Sequence, residues 1–225
     1  MWPTDEEQLA AVQLEIAAMA PPPWSPTRDR IGIGGCWACF PRGLSGPGAA
    51  GDPAWTASVV MASGRIVARH TTTGAAAAAY TPGLLALRDG ALPEDAVRGL
   101  ADRPDVLLLD ATGRDHPRGC GLATHLGAVL DLPTVGVTHR PLLARGDWPA
   151  DRQGATAPLR IDDAMVGCWL RTRAGARPLA VHPGWRADLD TAVGVVSLAL
   201  AGRRTPEPLR GARRLARRSR AADAG

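Results

Sequence analysis

Apolar residues recur at near-helical spacing between residues 5 and 20, with Leu9, Val12, Leu14, Ile16 and Met19 on the repeat, and Pro21-Pro22-Pro23 ends the segment. Residues 31–40 are apolar and rich in glycine, the pattern of a buried first strand, and a Gly/Pro-rich loop follows over 41–53. Residues 55–61 and 65–70 read as the second and third strands, joined at a Ser63-Gly64 turn. A helix is expected over 84–102, interrupted at Gly90 and Pro93. Residues 106–109 are wholly apolar and end at an acid, Asp110, which is how a central strand buried on both faces reads. Residues 121–130 predict a helix, 133–137 another buried strand, 168–171 and 179–181 a hairpin around Ala174-Gly175, and 188–200 a closing helix capped by Asp188. This order indicates a mixed α/β sheet that starts antiparallel.

A chain of 225 residues that is 45% hydrophobic has enough material for one folded domain with a full core. No apolar run reaches bilayer length, and Met1-Trp2-Pro3-Thr4-Asp5-Glu6-Glu7 lacks the basic stretch of a secretory signal. The expectation is a cytoplasmic monomer with no membrane contact. The formal charge is +4, and every basic side chain is arginine. Guanidinium forks suit phosphate, although codon bias alone also produces such a composition. Without lysine, no ammonium can serve catalysis. Residues 1–208 are expected to form the domain and 209–225 an Arg-rich C-terminal tail. That tail is either a helix adding salt-sensitive phosphate contacts or a frayed, solvated end. Cys36-x-x-Cys39 has no second pair and sits within the first strand, so it reads as buried thiols rather than a metal or redox site.

In α/β sheets, ligands gather beyond the carboxyl ends of the strands. Asp110 lies at such an end, followed by Gly113 and His116-Pro117-Arg118. A carboxylate that can hold Mg²⁺, with an imidazole and a guanidinium nearby, suits a phosphodiester. A loop whose Asp merely caps the following helix fits the same residues equally well.

The stretch from Asp110 through His116-Pro117-Arg118, Gly121-Leu122-Ala123-Thr124-His125-Leu126-Gly127 and Asp131-Leu132-Pro133-Thr134-Val135-Gly136-Val137 resembles the most diagnostic block of the endonuclease V family. Upstream, Tyr80-Thr81-Pro82-Gly83-Leu84-Leu85-Ala86-Leu87-Arg88 is similar to the family's Tyr-x-Pro-Gly-Phe-Leu-x-Phe-Arg-Glu pattern, and Pro206-Glu207-Pro208 matches a motif near its C-terminus. The resemblance implies a ribonuclease H-like mixed β-sheet flanked by helices. It implies Mg²⁺-dependent cleavage, with Mn²⁺ as a substitute, of the phosphodiester one bond 3′ of a deaminated purine, usually inosine. The nucleic acid is DNA, or in some members RNA, and the role is repair. Asp89 and Asp110 are then metal ligands, with His139 and His116 joining them as catalytic groups. Tyr80, Pro82, Gly83, Gly113, Arg118 and Arg140 are then substrate contacts. The Tyr80–Gly83 turn corresponds to a wedge that opens the duplex, where a mismatched base lowers the unstacking cost.

The same comparison shows departures. In Gly34-Gly35-Cys36-Trp37-Ala38-Cys39-Phe40, Trp37 stands where the family pattern Ala-Gly-x-Asp-Val-x-Phe has its first metal carboxylate. An indole cannot ligate Mg²⁺. Asp89 replaces a glutamate, Asp110-Ala111-Thr112-Gly113 replaces Asp-Gly-x-Gly, and His139, followed by Arg140, replaces the lysine. Gly184-Trp185-Arg186 replaces a Gly-His/Asn-Arg pattern, so Trp37 and Trp185 are expected to fill the metal cavity together. Two functions follow as expectations: a slow nuclease holding one ion on Asp89 and Asp110, or a relative that binds nucleic acid or a partner without cleaving.

Overall fold

The computed structural model describes residues 2–27, 30–43 and 46–223. The chain runs α1 (Glu6–Ala18), β1 (Ile33–Cys39), β2 (Pro53–Ala62), β3 (Arg65–Ala75), α2 (Leu85–Asp89), α3 (Ala91–Arg98), β4 (Val106–Leu109), α4 (Leu122–Leu130), β5 (Thr134–Thr138), β6 (Thr156–Ile161), β7 (Ala164–Leu170), β8 (Leu179–Pro183), α5 (Leu189–Leu198) and α6 (Glu207–Ala222). The strands form one eight-stranded sheet in the order β3-β2-β1-β4-β5-β8-β7-β6. Only β1, β4 and β5 pair in parallel. This is the ribonuclease H-like mixed sheet that the resemblance implies.

β1, β2 and β3 form an antiparallel meander, closed at Ser63 and Gly64, both at positive φ, as a two-residue hairpin turn requires. The central β4 is fully buried because helices cover both faces of the sheet. Leu9, Ala96, Leu107, Leu109 and Leu126 build the core under α1 to α4. Val106, Leu108, Val135, Val181, Val196 and Leu209 build the core under α5 and α6. Asp5 and Asp188 cap α1 and α5, accepting from the backbone N–H of Gln8 at 2.8 Å and of Thr191 at 2.7 Å. Among the described residues no helix is long and apolar enough to cross a membrane.

Three features differ from the sequence reading. The helix expected over 84–102 is two short helices that meet at Gly90, where a Cβ would strike the Trp2 ring. The edge strand β6 went unseen: its burial is confined to Leu159, so it lacks a clear alternation, and Pro158 argues against a strand. Of the two forms the sequence leaves open for the arginine-rich C-terminal segment, it takes the helix, and it differs from a tail in that α6 lies packed on β1. A Cβ on Gly35 would come within 2.3 Å of the Pro208 backbone, and Leu209, Ala212 and Ala216 are buried.

Candidate active site

Asp110 directly follows the last residue of β4. The parallel ladder of β1 and β4 ends with Cys36 opposite Leu109, and the residues that follow, Trp37 and Asp110, border the same cavities. Side chains alternate along a strand, so Asp110 shares the α5/α6 face with Val106 and Leu108, and Trp37 shares it with Ile33. An acid at position 37 would therefore stand one strand spacing, about 4.8 Å, from Asp110 at the backbone. The half-buried indole of Trp37 takes that place.

Asp89 ends α2 and is 9% exposed. Its Oδ1 lies 3.5 Å from Arg88 Nε yet accepts no hydrogen bond. Burial pushes the Asp89 carboxyl up to about 6, with Arg88 offsetting only part of the rise. Asp110 opens onto the surrounding cavities, but the walls withhold enough water to push it up to about 6 as well, with Arg213 pulling the other way. Asp89, Asp110, Trp37 and Tyr80 line one cavity of about 300 Å³. Its roof is stapled by Arg88, which donates to Ala49 O at 2.9 Å, Ala78 O at 2.7 Å and Asp52 Oδ2 at 3.0 Å, and lies 4.5 Å from the Phe40 ring centre.

The Tyr80–Gly83 turn links β3 to α2. Tyr80 is 43% exposed, and Gly83 takes a φ of +80°, a conformation suited to glycine. The Arg118 backbone N–H donates to His116 Nδ1 at 3.2 Å, which leaves Nε2 to donate to Gly83 O at 3.0 Å. Arg118 Nη2 donates to the same carbonyl at 2.8 Å, and its Nε to Gln13 Oε1 at 2.6 Å. Burial lowers the His116 pKa, so its imidazole stays neutral at pH 7. His116 and Arg118 thus hold the turn in place. Tyr80, Pro82, Gly83, Asp110, His116 and Arg140 border a second cavity, of about 260 Å³. Gly113 packs without space for a side chain, since a Cβ there would meet Pro183 O at 2.2 Å.

A third cavity, of about 230 Å³, opens on the far side of Asp110 and is bordered by Trp37, His139, Arg204, Arg210 and Arg213. Partial burial and the charges of Arg204 and Arg213 lower the His139 pKa, which disfavours its charged form. Arg88 and Arg213 are the site residues that sequence reasoning overlooked. Arg88 stood in the quoted motif without a role, and Arg213 stood among arginines that nothing in the spacing distinguishes.

Trp185 is not in this site. β8 runs antiparallel to β5, with Pro183 opposite Val135, so residue 185 falls beside Thr134 at the amino end of β5, whereas Asp110 follows the carboxyl end of β4. There the Trp185 indole donates to Asp131 Oδ1 at 3.3 Å and its backbone N–H to Thr134 Oγ1 at 2.9 Å. All four cysteines are free and buried, and burial pushes Cys36, Cys120 and Cys168 up to about 12, which leaves them inert.

The donors present do not fit the full metal centre that the resemblance implies. Trp37 stands beside Asp110 in place of a carboxylate, a guanidinium faces the same cavity, and Asp89 is one methylene short of a glutamate. Among the described residues, no three His, Cys, Asp or Glu side chains converge as metal ligands.

A mixed sheet with one acid beyond the carboxyl end of its central strand β4, a second at the end of α2, an aromatic turn beside them and arginines on the far side has the make-up of a nuclease-type α/β fold. The endonuclease V family profile matches residues 47–214. An endonuclease V of Roseiflexus castenholzii is 35% identical over 223 residues, which is 97% of this chain and 95% of that protein. The crystal structure of endonuclease V from Streptomyces avermitilis superposes with a TM-score of 0.88 at 32% identity, covering 100% of this chain and 96% of that one. The catalytic domain of human endonuclease V superposes with a TM-score of 0.84 at 27% identity, covering 98% and 99%. The chain belongs to the endonuclease V family, whose members are in general metal-dependent nucleases.

Proposed function

We propose that this chain recognises a deaminated purine, inosine foremost, in DNA or RNA, and that it cleaves the neighbouring phosphodiester only weakly. One observation carries the reading: the Tyr80–Gly83 turn is locked against the Asp110 loop by two donors on the Gly83 carbonyl, from His116 and Arg118. A wedge that must open stacked bases needs such a fixed footing. The cavity of about 260 Å³ between the turn and Asp110 has room for a planar base. A Ciona intestinalis endonuclease V of the same fold has been crystallised with a 24mer DNA containing an inosine, which supports the choice of base. Within this reading Arg140 meets the substrate beside the base cavity, and the chain acts as a cytoplasmic monomer.

Weak cleavage follows from the indole at position 37 and the disfavoured positive charge of His139. A second reading is favoured by the buried Asp89 Oδ1, which has no hydrogen bond. In it Asp89 and Asp110 together hold Mg²⁺ or Mn²⁺ and turnover persists. The two are separated by incubating the protein with inosine-containing single- and double-stranded DNA and RNA, with each metal, beside Asp110→Ala. Inosine-selective binding with little cleavage is expected. Rapid cleavage abolished in Asp110→Ala would establish the second reading instead, and equal binding of adenine and inosine substrates would refute the choice of base.

A further inference from the structure

We infer that Arg213 is the resident cation beside Asp110, and that the chain grips a nucleic-acid phosphodiester there without any divalent metal ion. The inference rests on the proposed reading that nucleic acid occupies this site.

The placement of Arg213 follows from how α6 lies on β1. Gly35 lets the Pro208–Leu209 backbone touch the strand. Two residues further along β1 the chain advances about 7 Å, and four residues further along α6 it advances about 6 Å. Gly35 and Trp37 share one strand face, and Leu209 and Arg213 share one helix face, so Arg213 arrives over Trp37. Its guanidinium carbon sits 5.1 Å from the indole centre. That stacking holds a planar cation on the very side chain that stands beside Asp110.

The neighbouring charges leave Arg213 available. Glu207 pairs with Arg210 at 3.4 Å and with Arg214 at 2.8 Å. Among the described residues Arg213 has no carboxylate at ion-pair distance, while its charge acts on Asp110. The cavity it faces also exposes Arg204 and Arg210. Three guanidiniums around about 230 Å³ repel one another; Glu207 pairs with Arg210 and Asp110 faces the cavity, so one positive charge is left over. A phosphate diester, with its single negative charge, balances that remainder and accepts two parallel hydrogen bonds from the Arg213 fork. A divalent cation at Asp110 would meet the indole on one side and this positive cluster on the other.

The test uses a fluorescein-labelled single-stranded oligonucleotide with one central inosine, its adenine counterpart, and anisotropy read in EDTA and in Mg²⁺. At matched ionic strength, wild-type affinity in EDTA is expected to equal or exceed that in Mg²⁺, which competes for phosphate as a counterion. Arg213→Ala is expected to weaken binding in EDTA by about tenfold, the loss typical of a hydrogen-bonded charge contact. Arg214→Ala, which removes the same charge from the same helix, is expected to lie within about twofold of wild type. A wild-type affinity that falls about tenfold or more in EDTA overturns the inference, as does an Arg213→Ala protein that binds like wild type or an Arg214→Ala protein that loses as much. If adenine and inosine strands bind equally while the Arg213 and EDTA results hold, the base reading fails and the inference stands. No binding of either strand overturns both. Calorimetry with Mn²⁺ alone gives a readout free of nucleic acid: no saturable site is expected in wild type, and a tight one defeats the inference.

Discussion

Asp89 is a charged group held where the fold disfavours its charge. Its carboxyl is pushed up to about 6 by burial, above the ordinary value of 3.8. Between those two values the folded chain binds a proton that the unfolded chain has released, so the group's contribution to stability falls as pH rises from about 4 to about 6 and is flat above. Asp89→Asn should therefore stabilise the protein at pH 7 by roughly 1–3 kcal/mol, and the gain should fade as pH approaches 4. Thermal melts of both proteins across that range will show it; a gain independent of pH would mean the carboxylate is not strained. The His116 imidazole works the opposite way, stabilising by hydrogen bonds while neutral. His116→Ala leaves the Gly83 carbonyl to Arg118 alone and should cost about 1–3 kcal/mol. Inosine binding should fall with it, because the Tyr80 turn loses a tether. Urea unfolding and oligonucleotide anisotropy read the two effects separately. In the sequence, His116 and Arg118 were legible as important but not in role: the motif puts them near phosphate, while the structure shows both donating to Gly83, a contact across more than thirty residues that spacing cannot reveal.

At the scale of elements, α6 decides what the site contains. Its apolar face is made of Leu209, Ala212 and Ala216, small residues scattered among arginines, so a hydrophobicity pattern shows a basic tail where the molecule has a packed helix. The central strand β4 was legible for the opposite reason, since four consecutive large aliphatics have only one use in an α/β sheet. Trp37 was legible as a β1 residue through its frame of Gly34, Gly35 and Phe40, and the structure brings it to the cavities that Asp110 lines. Trp185 misled because a motif does not say that β8 runs antiparallel to β5 and carries residue 185 to the other end of the sheet. The close approach of α6 rests on Gly35. A methyl group there would sit 2.3 Å from the Pro208 carbonyl carbon, with main chain rather than a flexible side chain in the way. Gly35→Ala should displace the start of α6 and destabilise the protein by about 1–3 kcal/mol or more. It should also lift Arg213 from Trp37, which quenching of tryptophan fluorescence by added iodide can follow. A variant as stable as wild type, with unchanged quenching, would show that α6 is not seated by this contact.

For the whole molecule, the question is which ions meet at Asp110, and proton concentration tests it. Metal-dependent binding weakens in acid, because protons compete with the metal for the same carboxylates. The arrangement here points the other way. Asp89 and Asp110 both titrate near pH 6, and both face cavities that a phosphodiester strand would occupy. The positive charges opposite at pH 7.5 are guanidiniums, in a chain with no lysine, so they persist over the whole range, and His139 beside them gains charge only toward the acid end. Lowering the pH from 7.5 to 5.5 therefore removes negative charge from the floor of the site and removes no positive charge from the wall. Affinity for a single strand in EDTA should tighten over that interval by about three- to tenfold. Asp110→Asn should remove much of that pH dependence and bind at pH 7.5 nearly as wild type does at pH 5.5. Salt sensitivity should stay at roughly 0.7 log units of affinity per log unit of salt for each phosphate engaged, since the arginines that release counterions are the same at both pH values. A strand that binds more weakly at pH 5.5 than at pH 7.5, and only with metal present, would return Asp110 to the role its family gives it.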